Sequence, residues 1–300
     1  MNSICEIFGC KYPIIQGAMG VICNPEFVAA VSEAGGFGTL ASSFASSVDI
    51  LEEQIKATRK LTSQPFGINL QVMNPLTPQF VDLIVENGIK TVTISGGSPK
   101  TLIPLLKSHG LNTVTVVPSV SVAVKSEALG VDAVIAEGTE SGGIQGLTGA
   151  STMVLVPAVV DAVSIPVIAA GGIADSRGYR AALALGASGV QVGTRFIASR
   201  ECIAHANYKE AIVAQSEVDT RLANMGPFQI RALNTPLIER IKQDPSLIGK
   251  GFSEEGLEAS WVKGDKEAGL LPAGENIGLI HNILSVSEIM NEMITGGENG

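Results

Sequence analysis

The 300-residue sequence is poor in the features that nucleic-acid and membrane partners require. Aromatic residues make up 4% of it, too few for a surface that stacks bases. Its 20 basic residues are outnumbered by 29 acidic ones, no basic cluster stands out, and the net charge is -9. Such a chain is a poor match for nucleic acid or an anionic membrane surface. Gly, Pro or Asp interrupts every strongly apolar stretch, so no transmembrane helix is expected. The opening MNSICEIFGCKYP carries Glu6 and Lys11 and lacks the basic-then-apolar order of a signal peptide. Cys5, Cys10, Cys23 and Cys202 show neither zinc-type spacing nor a disulfide framework. The three histidines, His109, His205 and His281, have no partner at metal-ligand spacing, so no metal is expected. These absences leave a soluble, cytoplasmic protein acting on a small molecule as the expectation. A homodimer is its expected assembly.

Glycine and apolar residues are what the sequence has in plenty. There are 34 glycines, well above the average of about 7%. Hydrophobic residues reach 45%, ample for one large core. Short apolar runs at 13–16, 37–40, 66–71, 91–94, 113–117, 132–136, 166–169 and 189–192 read as strands. They are apolar on both faces, as buried parallel strands are. Amphipathic stretches at 25–34, 48–61, 78–87, 99–109, 121–129, 151–163 and 176–185 read as helices between them. Gly35, Gly88, Gly110, Gly130 and Gly186 stand where helix C-caps are needed. Eight such alternations predict an α/β fold, a (β/α)8 TIM barrel. An open doubly wound sheet is the alternative. Against it, no βα turn carries Gly-x-Gly-x-x-Gly. The expected layout is a barrel over 1–196 plus 275–300, with 197–274 a helical insertion or lid leaving the barrel after strand eight. Residues 275–294 read as one last amphipathic helix, with Ile277, Ile280, Ile283 and Leu284 on one face.

Polar residues and glycines gather at the strand C-termini, where barrels of this kind place their active sites. After strands seven and eight, Gly171, Gly172 and Gly193 would expose backbone N–H groups to a phosphate, and Thr194 adds a hydroxyl. The alternative is that these glycines only make tight turns. After strand six the sequence runs AEGTESGGIQG from Ala136 to Gly146. Glu137 and Glu140 each read either as an acid whose pKa a dry pocket raises, or as a charge that fixes the loop by backbone bonds. Gln145 can donate a hydrogen bond but is no general acid near neutral pH. Cys23, in the first loop, reads as a packed small hydrophobe or as a group facing the site.

The blocks YPIIQGAMG, AGGFGTLA, PFGINLQ, GVDAVIAEGTESGG, IPVIAAGGIAD, GASGVQVGTRFIAS and AHANYKE resemble the FMN-dependent nitronate monooxygenase and enoyl-ACP reductase II family. The resemblance runs through the C-terminal AGENIGLI. It implies an FMN-binding barrel. By position, Gly17, Ala18 and Met19 would line the isoalloxazine ring, and Asn69 and Gln71 would bond ring edges or the ribityl chain. Gly171, Gly172, Gly193 and Thr194 would hold the phosphate. Glu137, Gln191, Ala273 and Gly274 belong to the same expected cofactor set. One departure is chemical: where the family carries an acid/base His beside the flavin, this sequence has Ile144. Glu140 and Gln145 are the candidates to substitute for it. A second departure is Glu275, where relatives usually carry Gln, which would add charge near the flavin edge. The implied activity is NADH- or NADPH-dependent reduction of an enoyl thioester, free or on acyl carrier protein. The alternatives are oxidation of alkyl nitronates with O2, and, in another class, an FMN-binding protein that has lost turnover.

Overall fold

The computed structural model describes residues 2–296. Residues 1 and 297–300, the outer ends of the two expected barrel segments, lie outside the described residues. In chain order the strands are β1 (Ile14–Gln16), β2 (Gly38–Ala41), β3 (Phe66–Gln71), β4 (Thr91–Ser95), β5 (Asn112–Val117), β6 (Ala133–Glu137), β7 (Gly143–Gln145), β8 (Val167–Ala170), β9 (Gly189–Val192), β10 (Thr220–Asn224) and β11 (Gln229–Leu233). The α-helices are α1 (Ser3–Phe8), α2 (Pro25–Glu33), α3 (Val48–Leu61), α4 (Thr77–Glu86), α5 (Leu102–Ser108), α6 (Val120–Ala128), α7 (Thr152–Val160), α8 (Ser176–Ala184), α9 (Thr194–Ile197), α10 (Ala206–Val213), α11 (Pro236–Gln243), α12 (Ile248–Gly251), α13 (Glu254–Trp261) and α14 (Val286–Thr295).

Eight strands form one parallel sheet in the order β1-β9-β8-β6-β5-β4-β3-β2. Gln16 N–H donates to the Phe37 carbonyl at 2.9 Å, and Phe37 N–H to the Ile14 carbonyl at 3.0 Å. These bonds join β1 to the start of β2 and close the sheet into a barrel, which excludes the open doubly wound alternative. The glycines expected to end helices do so: Gly35 and Gly130 both adopt φ 87°, a left-handed conformation that a Cβ would oppose. Side chains alternate along each strand. On β6, Ala133 and Ile135 point into the barrel with Ile15, Phe37, Val114 and Ile168. Val134 and Ala136 point out, against the helical layer.

The barrel's N-terminal mouth is stoppered by α1. The Asn2 side chain caps it by accepting from Ile4 and Cys5 N–H, and Gly9 at φ 69° ends it. Ile4 and Phe8 sink into the barrel interior, at 0% and 2% exposure. Phe8 meets Phe37 edge to face, with ring centroids 4.7 Å apart. Burying two such side chains stabilises the fold by about 1.5–3 kcal/mol each. Thr91 Oγ1 and Asn112 Nδ2 donate to the Ile7 carbonyl at 2.8 and 2.7 Å and lock the stopper to β4 and β5. With that end filled, the open face of the barrel is the C-terminal one.

Two expectations about the C-terminal third change. The 197–274 segment is not purely helical: β10 and β11 form an antiparallel hairpin, and β11 pairs antiparallel with β7. Alternation in Thr220–Asn224 and Gln229–Leu233 buries Ala223, Ile230 and Ala232 with Leu237, Ile238 and Ile241 of α11 as a separate small core. The expected last helix begins late, at Val286, because Ser285 and Glu288 form a reciprocal capping box there. Glu275–Leu279 is a short 3-10 turn instead. No helix among the described residues is long and apolar enough to cross a membrane.

Candidate functional site

A cavity of about 710 Å³ opens above the C-terminal ends of the barrel strands. Ligand sites of about 300–1,000 Å³ are usual. Its floor is built by strand parity. Asn69 and Gln71 are the inward positions of β3, since Ile68 and Leu70 point out; Gln191 is inward on β9 and Glu137 on β6. Strands β1, β4, β8 and β9 then turn through polar or glycine-rich corners: Gly17, Ala18 and Met19, residues 95–97, Gly171 and Gly172, Gly193 and Thr194. The upper wall is apolar. Phe44, Ile144, Phe228, Phe252 and Trp261 form much of it, and three of these come from the 197–274 segment.

Of the expected cofactor residues, Gly17, Ala18, Met19, Asn69, Gln71, Glu137, Gly171, Gly172, Gln191, Gly193 and Thr194 come together on this cavity. Ala273 and Gly274 do not line it. Ala273 is fully buried, and Gly274 stands behind the wall, its N–H donating to Thr194 Oγ1 at 3.0 Å. Pro272 and Asn276 line the cavity in their place, and Asn276 Nδ2 donates to the Ile173 carbonyl at 2.9 Å. Phe228, Phe252 and Trp261 escaped the sequence reading because they lie in a segment without a strand–helix period.

The floor fits a flavin mononucleotide. A Cβ built at Gly193 would meet only Met19 Sδ, at 3.6 Å, so the backbone there faces open cavity. Gly193 precedes the first turn of α9, whose leading N–H groups have no acceptor within the helix. With the corner at Gly171 and Gly172 they make an uncharged anion cradle, and no Lys or Arg lines the cavity. Asn69 Nδ2 donates to Thr93 Oγ1 at 2.9 Å and its Oδ1 accepts from Ser95 Oγ at 3.0 Å. That fixes the amide and leaves one N–H for a polar ring edge.

The AEGTESGGIQG loop divides its residues between structure and cavity. Glu140 is structural: its Oε2 accepts from Thr152 N–H and Oγ1, both at 2.6 Å, at the N-terminus of α7. A carboxylate is favoured there by the helix dipole, and Glu140 does not line the cavity. Gln145 does line it, but its Nε2 donates to the Thr139 and Ser141 carbonyls. Both amide hydrogens are therefore committed, and Gln145 has none to offer a substrate oxygen. Ile144 faces the cavity at 37% exposure. Its strand, β7, is the edge of the hairpin sheet, with Ile144 opposite Ile230. Glu275 does not add charge to the cavity either. It pairs with Arg231 at 2.9 Å, and Arg231 Nε donates to the Thr139 carbonyl at 3.0 Å. One buried guanidinium thus ties the hairpin to the loop after β6.

Glu137 behaves differently from Glu140. It ends β6 on the inward side and lines the cavity. It is half-buried there. Burial pushes its pKa from 4.5 up to about 7, against a hydrogen bond from Ser141 that lowers it. Cys23 is a packed residue: it is 2% exposed, and its Sγ accepts from Gln16 Nε2 at 3.2 Å and Met19 N–H at 3.0 Å. Burial pushes its thiol up to about 12. His205 caps α10, its Nδ1 accepting from Asn207 N–H at 3.1 Å, while His109 and His281 are exposed. No group of three or more metal-ligating side chains occurs among the described residues.

Comparison with known proteins places this architecture. A family model described as nitronate monooxygenase matches residues 2–80 and 76–296. The structure of FabK from Thermotoga maritima superposes with a TM-score of 0.92 at 39% identity, covering 99% of this chain and 96% of that one. A probable nitronate monooxygenase of Staphylococcus saprophyticus is 37% identical over 260 residues, 72% of this chain and 73% of its own length. The (3aS,4S,5R,7aS)-5-hydroxy-7a-methyl-1-oxo-octahydro-1H-indene-4-carboxyl-CoA dehydrogenase of Rhodococcus jostii is 30% identical over 339 residues, 98% of this chain and 94% of its own. Barrel, cavity and sequence agree: the chain belongs to the nitronate monooxygenase family and is a flavin-dependent oxidoreductase.

Proposed function

We propose that the protein reduces the carbon–carbon double bond of an enoyl thioester, with FMN as its flavin and NADH or NADPH as reductant. The observation that carries this reading is the division of the cavity. Its floor is polar and glycine-lined, and its upper wall, with Phe44, Ile144, Phe228, Phe252 and Trp261, is apolar. The floor would hold a flavin, and the wall suits an acyl chain. Similarity to FabK, an enoyl-ACP reductase II, and to a dehydrogenase of a carboxyl-CoA thioester supports a thioester substrate.

Bound FMN supplies two-electron hydride chemistry. The chain's own residues do the rest. Gly171, Gly172, Gly193 and Thr194 hold the phosphate, and Gly17, Ala18 and Met19 lie along the ring. Asn69, Gln71 and Gln191 bond its polar edges. The apolar wall excludes water and orients the acyl group, which on this reading arrives free or on a carrier protein.

Nitronate oxidation is the second reading, favoured by the name of the family and of the Staphylococcus relative. The test is anaerobic. The purified protein should be yellow, bleach with NADH or NADPH, and recolour on addition of crotonyl thioester. Recolouring with O2 and a nitronate but with no enoyl thioester would refute the reductase reading.

A further inference from the structure

Reduction of an enoyl thioester needs a proton at the α-carbon as well as a hydride at the β-carbon, and the cavity is nearly bare of groups that hold one. Its lining contains no His, Lys, Arg, Asp or Cys. Two ionisable side chains reach it, Glu137 and Tyr208. The Tyr208 hydroxyl donates to the Pro272 carbonyl, and burial holds its pKa well above the usual value. Resting on the enoyl-thioester reading above, we propose that Glu137 is the proton donor to the substrate's α-carbon, the role that a different side chain at position 144 would otherwise fill.

The geometry of β6 carries the assignment. Ala133, Ile135 and Glu137 share the inward face of the strand. The first two are packed inside the barrel, and the third comes out where the interior opens into the cavity. The ionisable groups of adjoining elements are engaged elsewhere. Glu140 bonds Thr152, Arg231 pairs with Glu275, Lys125 of α6 is exposed, and Glu127 of α6 accepts from Ser164 N–H. Strands β5 and β8 and helix α7 carry no charged residue. Nothing on these elements therefore holds Glu137 as a carboxylate, and its pKa of about 7 leaves it substantially protonated near neutral pH.

The step balances. A reduced pyridine nucleotide provides the hydride equivalent that becomes the new β-C–H bond. The double-bond electron pair forms the α-C–H bond with the Glu137 proton as its O–H bond breaks. The resulting carboxylate regains a proton from solvent, so that one NAD(P)H and one H+ are consumed per double bond.

The test reads reoxidation alone. Flavin in the holoenzyme is reduced beforehand by light and a sacrificial donor, then mixed anaerobically with crotonyl thioester. We expect the wild-type rate to fall as pH rises through about 7. Glu137→Gln should cut it about 100-fold or more and flatten its profile, with Glu137→Asp in between. Independently of turnover, infrared spectra of the flavin-free protein should show a protonated carboxyl band. That band should fade across the same pH range and be missing in Glu137→Gln. Equal reoxidation of wild type and variant, a flat wild-type profile from pH 5 to about 9, or no such band would overturn the assignment. A wild type that no enoyl thioester reoxidises would overturn the assignment together with the reductase reading, and is distinguishable on that ground.

Discussion

The elevated pKa of Glu137 has a consequence for stability that needs no substrate. The perturbation is Glu137→Gln, which keeps the shape of the side chain and removes its charge. A rise from 4.5 to about 7 amounts, at about 1.4 kcal/mol per pH unit, to about 3 kcal/mol between the two protonation states. Because the carboxyl keeps a face on the cavity, that figure is an upper bound. The sign follows from proton counts. Between about pH 4.5 and 7 the folded protein holds a proton that the unfolded chain has released, so stability falls as pH rises. The contribution is complete below 4.5 and gone above the folded value. Gln is neutral throughout, so subtracting the variant cancels every other titrating group. Urea unfolding can be followed by fluorescence of Trp261, the single Trp of the chain, which is 5% exposed on the cavity wall. The stability of wild type relative to variant should drop by up to about 3 kcal/mol between pH 4.5 and 8. A difference that stays level, or climbs with pH, would refute the placement of Glu137 in a dry site.

Other perturbations separate structure from site. Glu140→Ala removes two charge-assisted bonds to Thr152 and should cost about 2–3 kcal/mol in urea unfolding while leaving the pH dependence assigned to Glu137 intact. Gly193→Val is sterically tolerable at φ -112° but fills the cradle. The protein should fold normally by circular dichroism and be purified with at least about tenfold less flavin. Arg231→Met breaks the links to Thr139, Thr220 and Glu275, and amide exchange at Gly143, Ile144 and Gln145 should speed up about 10–100-fold. Ile144→His puts a base on the cavity wall, and oxygen consumption with a neutral nitroalkane should rise above that of the wild type.

Much of the site was legible because barrel geometry converts strand order into position. Gly171, Gly172, Gly193 and Thr194 follow adjacent strands and meet on one cavity. Asn69, Gln71 and Gln191 sit on inward faces that a period of two exposes to a careful reader. The same period separates Glu137, in phase with Ala133 and Ile135, from Glu140, which lies beyond the strand. Ala273 and Gly274 do not line the cavity although Pro272 and Asn276 beside them do, because an irregular segment has no fixed period to tell lining from buried positions. The hairpin of β10 and β11 was hidden for a different reason. Its strands are five residues each, and their partners are each other and β7, a contact between segments 88 residues apart at one pair (231 against 143).

What the sequence by itself determined was the alternation of buried strands and amphipathic helices, hence the barrel, and the crowding of glycines and amides at one end of it. Those are local properties, set by side-chain period and by the left-handed turns that only glycine makes cheaply. The tertiary structure decided which of two glutamates lines the cavity and which is tied to a helix. Both are carboxyls, three residues apart, one ending β6 and the other in the loop that follows. One meets the N–H and hydroxyl of Thr152 and is held there; the other meets a cavity whose neighbouring strands carry no charge. That difference lies in desolvation and distant partners, which no window of sequence contains.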